Sequence, residues 1–158
     1  MATDLTSKTR TVMIVAPTEH SGYSANTNGT EKDVGTSYNG LLVVSLDAGV
    51  EGTDVLDNFA LYTSPTSAFT PGTAADRVVL TQNISDSQNA VTIGTNEITA
   101  GFSSDGVYVF EAAKLERYVN VQYDIASDAG NAVSRYTVTL TATNIGEAPY
   151  KPYRAAYT

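Results

Sequence analysis

The stretch Arg117-Tyr-Val-Asn-Val-Gln-Tyr-Asp-Ile125 (RYVNVQYDI) sets Val119, Val121, Tyr123 and Ile125 on one side of an extended chain. Tyr118, Asn120, Gln122 and Asp124 fall on the other side. Successive side chains of a strand point to opposite faces, so the alternation predicts a half-buried β-strand, apolar toward a core and polar toward water. Arg135–Thr143 follows the same rule, with Tyr136, Val138, Leu140 and Ala142 opposed to Thr137, Thr139, Thr141 and Thr143. Between the two lies Ser127-Asp-Ala-Gly-Asn131, a short run of turn-forming residues. Two alternating strands with such a connection are expected to form a β-hairpin.

Upstream the same grammar repeats in shorter pieces. Arg10–Ala16 is an expected strand closed by Pro17, and residues 17–38 read as one long loop, rich in Ser, Gly, Asn and Thr. Loops of that length are commonly functional or disordered. Leu41-Leu-Val-Val-Ser-Leu46 is apolar at odd and even positions alike, the pattern of a central strand with both faces buried. Further strands are expected at Asp57–Thr63, Arg77–Thr81, Ala90–Ile93, Glu97–Thr99 and Val107–Phe110, with a short helical turn at Ala112–Leu115. No segment keeps a 3.6-residue apolar period over three turns. The fold class is therefore all-β: a single β-sandwich or jelly roll of about eight to ten short antiparallel strands with extended terminal arms. The expected organisation is an N-terminal arm at 1–9, the sandwich at 10–147 and a C-terminal arm at 148–158.

A chain of 158 residues is long enough for one well-buried core. It has no cysteine, so neither disulfides nor thiolate metal sites contribute. Nine Lys and Arg stand against seventeen Asp and Glu, a net charge of −8. A surface of that sign repels phosphate, so neither nucleic acid nor an anionic membrane is an expected partner. The longest apolar run near the start, Val12–Ala16, is too short for a membrane span or a signal-peptide core, and a soluble, unprocessed chain is expected.

The search for reactive groups returns little. His20 is the sole histidine and lies in a Ser/Gly-rich stretch without a nucleophile-elbow motif. Glu97 and Glu111 are the carboxylates nearest to strands, but their positions give no separation for an acid and base pair. Asp47, Glu51, Asp54, Asp57 and Asn58 supply hard oxygen atoms, but not at the alternating positions of an EF-hand loop, and a solvated acidic turn is the plainer reading. No catalytic residue, cofactor or metal is assigned. The C-terminal segment differs from the rest. Ala148-Pro-Tyr-Lys-Pro-Tyr-Arg-Ala-Ala-Tyr-Thr158 combines prolines, which favour an extended course, with Tyr150, Lys151, Tyr153, Arg154 and Tyr157, residue types that dominate protein contacts. These five are the candidate partner-contact residues; a segment folded back on its own domain is the alternative.

The run Gly106-Val-Tyr-Val-Phe-Glu111, then Lys114-Leu-Glu-Arg-Tyr-Val-Asn-Val-Gln-Tyr-Asp-Ile125 and Tyr136-Thr-Val-Thr-Leu-Thr141, resembles small virion proteins of tailed bacteriophages. Phe59-Ala-Leu-Tyr-Thr-Ser-Pro-Thr-Ser-Ala-Phe69 is similar to their strand, turn and Phe pattern, so the likeness spans roughly residues 58–143. It departs at Asn120, where the pattern often carries a second basic residue. Such proteins include jelly-roll cement or decoration subunits, commonly trimers. The resemblance implies a non-enzymatic protein made in the host cytoplasm and bound to the exterior of a capsid. Its partners would be the major capsid protein and copies of itself. A carbohydrate- or receptor-binding sandwich, or a low-copy tail or connector protein, is the alternative.

Overall fold

A computed structural model describes residues 9–20, 22–35, 37, 39–48, 55–82, 89–126 and 134–143, with the backbone alone for His20 and Ser134. The strands are β1 (Arg10–His20), β2 (Ser24–Asn28), β3 (Lys32–Asp33), β4 (Asn39–Asp47), β5 (Leu56–Ser64), β6 (Val79–Gln82), β7 (Thr92–Ile93), β8 (Ile98–Ala100), β9 (Gly106–Ala113), β10 (Tyr118–Ile125) and β11 (Ser134–Thr143). They form two antiparallel sheets, a five-stranded one in the order β1-β11-β4-β9-β6 and a six-stranded one in the order β2-β10-β5-β8-β7, with β3 also paired to β10. The chain is an all-β sandwich. From one described strand or strand pair to the next it passes back and forth between the sheets, the wrapping of a jelly roll.

That wrapping overturns the expected hairpin. β10 pairs with β2, β3 and β5, whereas β11 pairs with β1 and β4, so the two most regular strands lie in opposite sheets. Their alternation is real: Val119, Val121, Tyr123 and Ile125 face inward from one sheet, and Tyr136, Val138, Leu140 and Ala142 from the other. A period of two says which side of a strand is apolar, not which neighbour it takes. The hydroxyls of Tyr136 and Tyr123 meet across the core at 3.1 Å, with the rings edge to face at 5.5 Å. Phe102 makes the second crossing, with Phe59 at 5.5 Å, Tyr108 at 4.9 Å and Phe110 at 6.2 Å between ring centroids. Offset and edge-on pairs of this kind add to the burial of their area.

Residues 17–38 are also more ordered than expected. β1 continues through Pro17 to His20 with register shifts at Met13–Val15 and Val15–Thr18, and β2 and β3 follow. Bulges are how an edge strand accommodates a proline. The segment between β2 and β3 closes one side of the sandwich: the Gly29 N–H donates to the Val121 carbonyl of one sheet and the Thr30 N–H to the Ile14 carbonyl of the other. A Cβ at Gly29 would stand 2.9 Å from each of Ile14, Val121 and Asn120, so the closure admits glycine alone without rearrangement. At Ala112–Leu115 the strand β9 runs to Ala113 in place of a helical turn, and Lys114 takes a left-handed conformation at φ 63°.

The two sheets are finished differently on the sides away from the core. Strand β5 is buried at every residue from Phe59 to Thr63. Ala60 and Tyr62 are absent from the central cluster, yet 0% and 2% exposed. The segment after β5 folds back to cover them. Pro71 offers its carbonyl to Gln122 Nε2, Glu31 accepts the Ala68 and Phe69 N–H groups, and Arg77 Nε reaches the Tyr62 hydroxyl. Strand β4 has no such cover among the described residues. Its burial alternates strictly, so the apolar run Leu41–Leu46 is central in its sheet but buried on one face only.

Candidate functional site

The open face of the five-stranded sheet follows directly from register. Thr11, Thr141, Leu41, Glu111 and Thr81 make one row across the strands; Met13, Thr139, Val43 and Val109 make the next. Thr137, Ser45 and Val107 form a third, and Glu19, Arg135 and Asp47 a fourth. Met13, Leu41, Val79 and Val107 are 37–54% exposed, and all four belong to this sheet. Among the described residues the other exposed large apolar side chain is Tyr23. Single exposed apolar residues mean little, but several gathered on one sheet mark an interaction surface. Apart from Glu111 in its first row, the face is a Thr/Val/Leu surface without charge until its last row.

That last row borders a groove of about 580 Å³. Pro17, Thr18 and Glu19 of β1 wall one side, Gly106 and Val107 the other, and Ser45–Asp47 with Arg135–Thr137 make the floor. The register of β1 shifts just ahead of Thr18, where the strand borders this hollow. Arg135 lies between two acids, with Nε 3.0 Å from Glu19 Oε2 and Nη1 3.5 Å from Asp47 Oδ2. Two carboxylates to one guanidinium leave the rim negative.

The sequence candidates fall as follows. Tyr150, Lys151, Tyr153, Arg154 and Tyr157 lie outside the described residues, as do Glu51 and Asp54. His20 ends β1, its backbone opposite Ser134. Glu111 stands on the open face, while Glu97 is held at the far sheet by a bidentate pair with Arg77, at 2.9 and 3.2 Å. The two glutamates belong to different sheets and are not brought together. Asp47 is engaged by Arg135, and Asn58 donates to Asp124 at 2.8 Å, so the Asp47–Asn58 cluster does not assemble from its described members. Among the described residues no three His, Cys, Asp or Glu side chains converge as metal ligands, and no helix is long and apolar enough to cross a membrane.

The groove and the open face were missed in the sequence, although one signal was present. Leu41, Val43 and Val107 are apolar at positions that alternate away from the core, a pattern consistent equally with a covered face and an adhesive one. No family model, curated protein or solved structure matches the chain.

Proposed function

We propose that this sandwich is a structural subunit of a bacteriophage virion that binds the outside of the capsid and cements neighbouring shell subunits. The observation that carries the reading is the open face: a rigid five-stranded sheet presents Met13, Leu41, Val43, Val79, Val107 and Val109 where the companion sheet is covered. Burying such a face against a shell releases its apolar surface from water. Repeating a modest contact over many sites makes the lattice-wide attachment far stronger than any one contact. The net charge of −8 is unsuited to a place against packaged DNA and suited to the exterior. The jelly-roll wrapping is in keeping, since that architecture recurs in capsid and lectin domains.

Its counting test is quantitative mass spectrometry of purified particles of the source virus. A copy number comparable to the major shell protein is expected. A handful of copies would move the protein to the tail or connector, and absence from particles would end the virion reading. The groove beside Arg135 favours a second reading, a carbohydrate- or receptor-binding module, because it sets a hydrogen-bonding fork beside apolar walls. A glycan array separates the two: saturable binding lost in Arg135→Ala would favour the module.

A further inference from the structure

We infer that the groove beside Arg135 receives the Pro/Tyr segment 148–158 of a second copy of this chain, joining subunits head to tail. The inference rests on the groove and the segment and not on the virion reading. Three observations meet here. First, a hollow of about 580 Å³ has the capacity of a small-ligand pocket, room for a few side chains and not for a folded partner. Its walls, Pro17 and Val107, are apolar, so the rings of an extended Pro/Tyr peptide laid between them leave water. Pro149-Tyr-Lys-Pro-Tyr153 is such a peptide, and its tyrosines bring large apolar area at small cost in side-chain freedom.

Second, the charges match. Residues 148–158 carry Lys151 and Arg154, two of the nine cations of the chain, and none of its seventeen acids. The rim of the groove offers Glu19 and Asp47, both more than half exposed and sharing the single Arg135. A cation arriving there completes a pairing that Arg135 alone leaves unbalanced.

Third, the placement favours a neighbour. The groove lies at the Arg135 end of β11, while the strand ends at Thr143. Eight residues of strand separate them, about 27 Å at roughly 3.4 Å per residue. A segment returning to its own groove would have to reverse after Thr143 and run back that distance. A donor and a receptor at opposite ends of one sheet generate a heterologous contact, which closes into a ring where the rotation permits.

The test uses the full-length chain and two variants, each impaired in one half of the contact. Val107→Lys places in the groove a charge of the same sign as the segment; its parent side chain is 54% exposed, so the fold is retained. Thr137→Lys serves as a second groove variant, and matched thermal unfolding checks both. The segment variant is Tyr150→Ser with Tyr153→Ser. Sedimentation velocity over a concentration series is expected to show self-association of the parent chain, weakened at least tenfold in each variant. Mixing a groove variant with the segment variant is expected to restore a single one-to-one complex, since one intact segment meets one intact groove. A segment variant that associates as tightly as the parent, or a mixture that stays monomeric, would overturn the inference. So would a parent chain that is monomeric throughout the series, which would leave the segment to its own copy. None of these results bears on copy number in particles, so failure here and failure of the virion reading are separable.

Discussion

Leu41 and Ala60 sit in mid-strand, one in each sheet, both turned away from the shared core, and they meet opposite surroundings. Leu41 is 44% exposed, while Ala60 is fully buried beneath the segment that follows β5. The covered sheet is the irregular one. Its outer strands are short, β5 and β8 meet at a single residue pair, and Asn26, Asn58 and Asn96 adopt left-handed backbone conformations. Side chains stitch it, with Asp124 receiving both the Asn26 N–H and the Asn58 amide. The open sheet is regular at its centre, where β4 pairs to β11 and to β9 without a register shift, and its bulges are confined to the edge strand β1. Irregular edges and turns need polar cover for their backbone groups. A long unbroken ladder satisfies itself and can present a smooth face outward. Exposure of apolar residues on this sheet is therefore a property of its face and not of weak folding.

Placing the same charge on each face breaks the comparison most sharply. Ala60→Lys buries an unpaired ammonium at a fully buried position and is expected to cost about 3–5 kcal/mol. Leu41→Lys is expected to change stability by less than about 0.5 kcal/mol. Urea unfolding with an unchanged slope reads both. If Leu41→Lys costs as much as Ala60→Lys, the face is not open and the proposed shell contact loses its surface. With the fold intact, Leu41→Lys should weaken attachment to capsids.

The closure that holds the two sheets together ranks next. Gly29→Ala brings a methyl 2.9 Å from Ile14 on one sheet and Val121 on the other. Overpacking of this order costs about 1–3 kcal/mol. Thermal unfolding measures it, and amide exchange at Thr30 and Val121 should quicken together because both sheets share the closure.

How much of this was legible depends on the kind of signal. Val119, Val121, Tyr123 and Ile125 were legible as inward residues because alternation is a local property, and all four are buried. Which sheet β10 belongs to was not, because sheet membership is decided by partners distant in sequence. Residues 24–28 (SANTN) carry no apolar alternation, so an edge strand there left no period to read. Leu41–Leu46 carried both answers at once: its composition could not separate a strand covered twice from one covered once. The groove was illegible for a further reason. Pro17, Asp47, Val107 and Arg135 come from four strands and share a place only after register is set.

The cross-sheet tyrosine pair gives a smaller effect with a pH signature. Tyr136→Phe removes the hydroxyl that donates to Tyr123 and is expected to cost about 1 kcal/mol. Burial pushes both phenols above their ordinary range, and the Tyr123 hydroxyl adds to the rise at Tyr136. An unfolded chain ionises near pH 10 while the folded pair still holds its protons. The unfolded state then binds fewer protons, so stability should fall as pH rises above about 10. The fall should be shallower in Tyr136→Phe, which unfolding midpoints between pH 8 and 11 would show.

The smallest expected effect compares one exposed arginine pair on each sheet. On the covered sheet, Arg117 donates Nε and Nη2 to Asp33 Oδ2 at 3.1 and 2.9 Å, and the Gly35 N–H reaches Oδ1 at 2.8 Å. The Arg117 hydrogen bonds, then the backbone N–H, hold the Asp33 carboxyl below its usual range. A lowered folded value means that this pairing stabilises above about pH 4 and is lost as pH falls through the lowered value. Both partners are well exposed, so Arg117→Gln should cost little at neutral pH and less still once acid has protonated Asp33. The Asp33 carboxyl should move back toward the ordinary range in that variant, as a carbon-detected NMR titration would follow. Arg135→Gln on the open sheet should be as mild toward unfolding. Its consequence belongs instead to the groove, where removing the one cation among the described lining residues leaves Glu19 and Asp47 free to attract the basic segment. Self-association should then tighten at low salt, while the parallel loss at Arg117 should leave it unchanged.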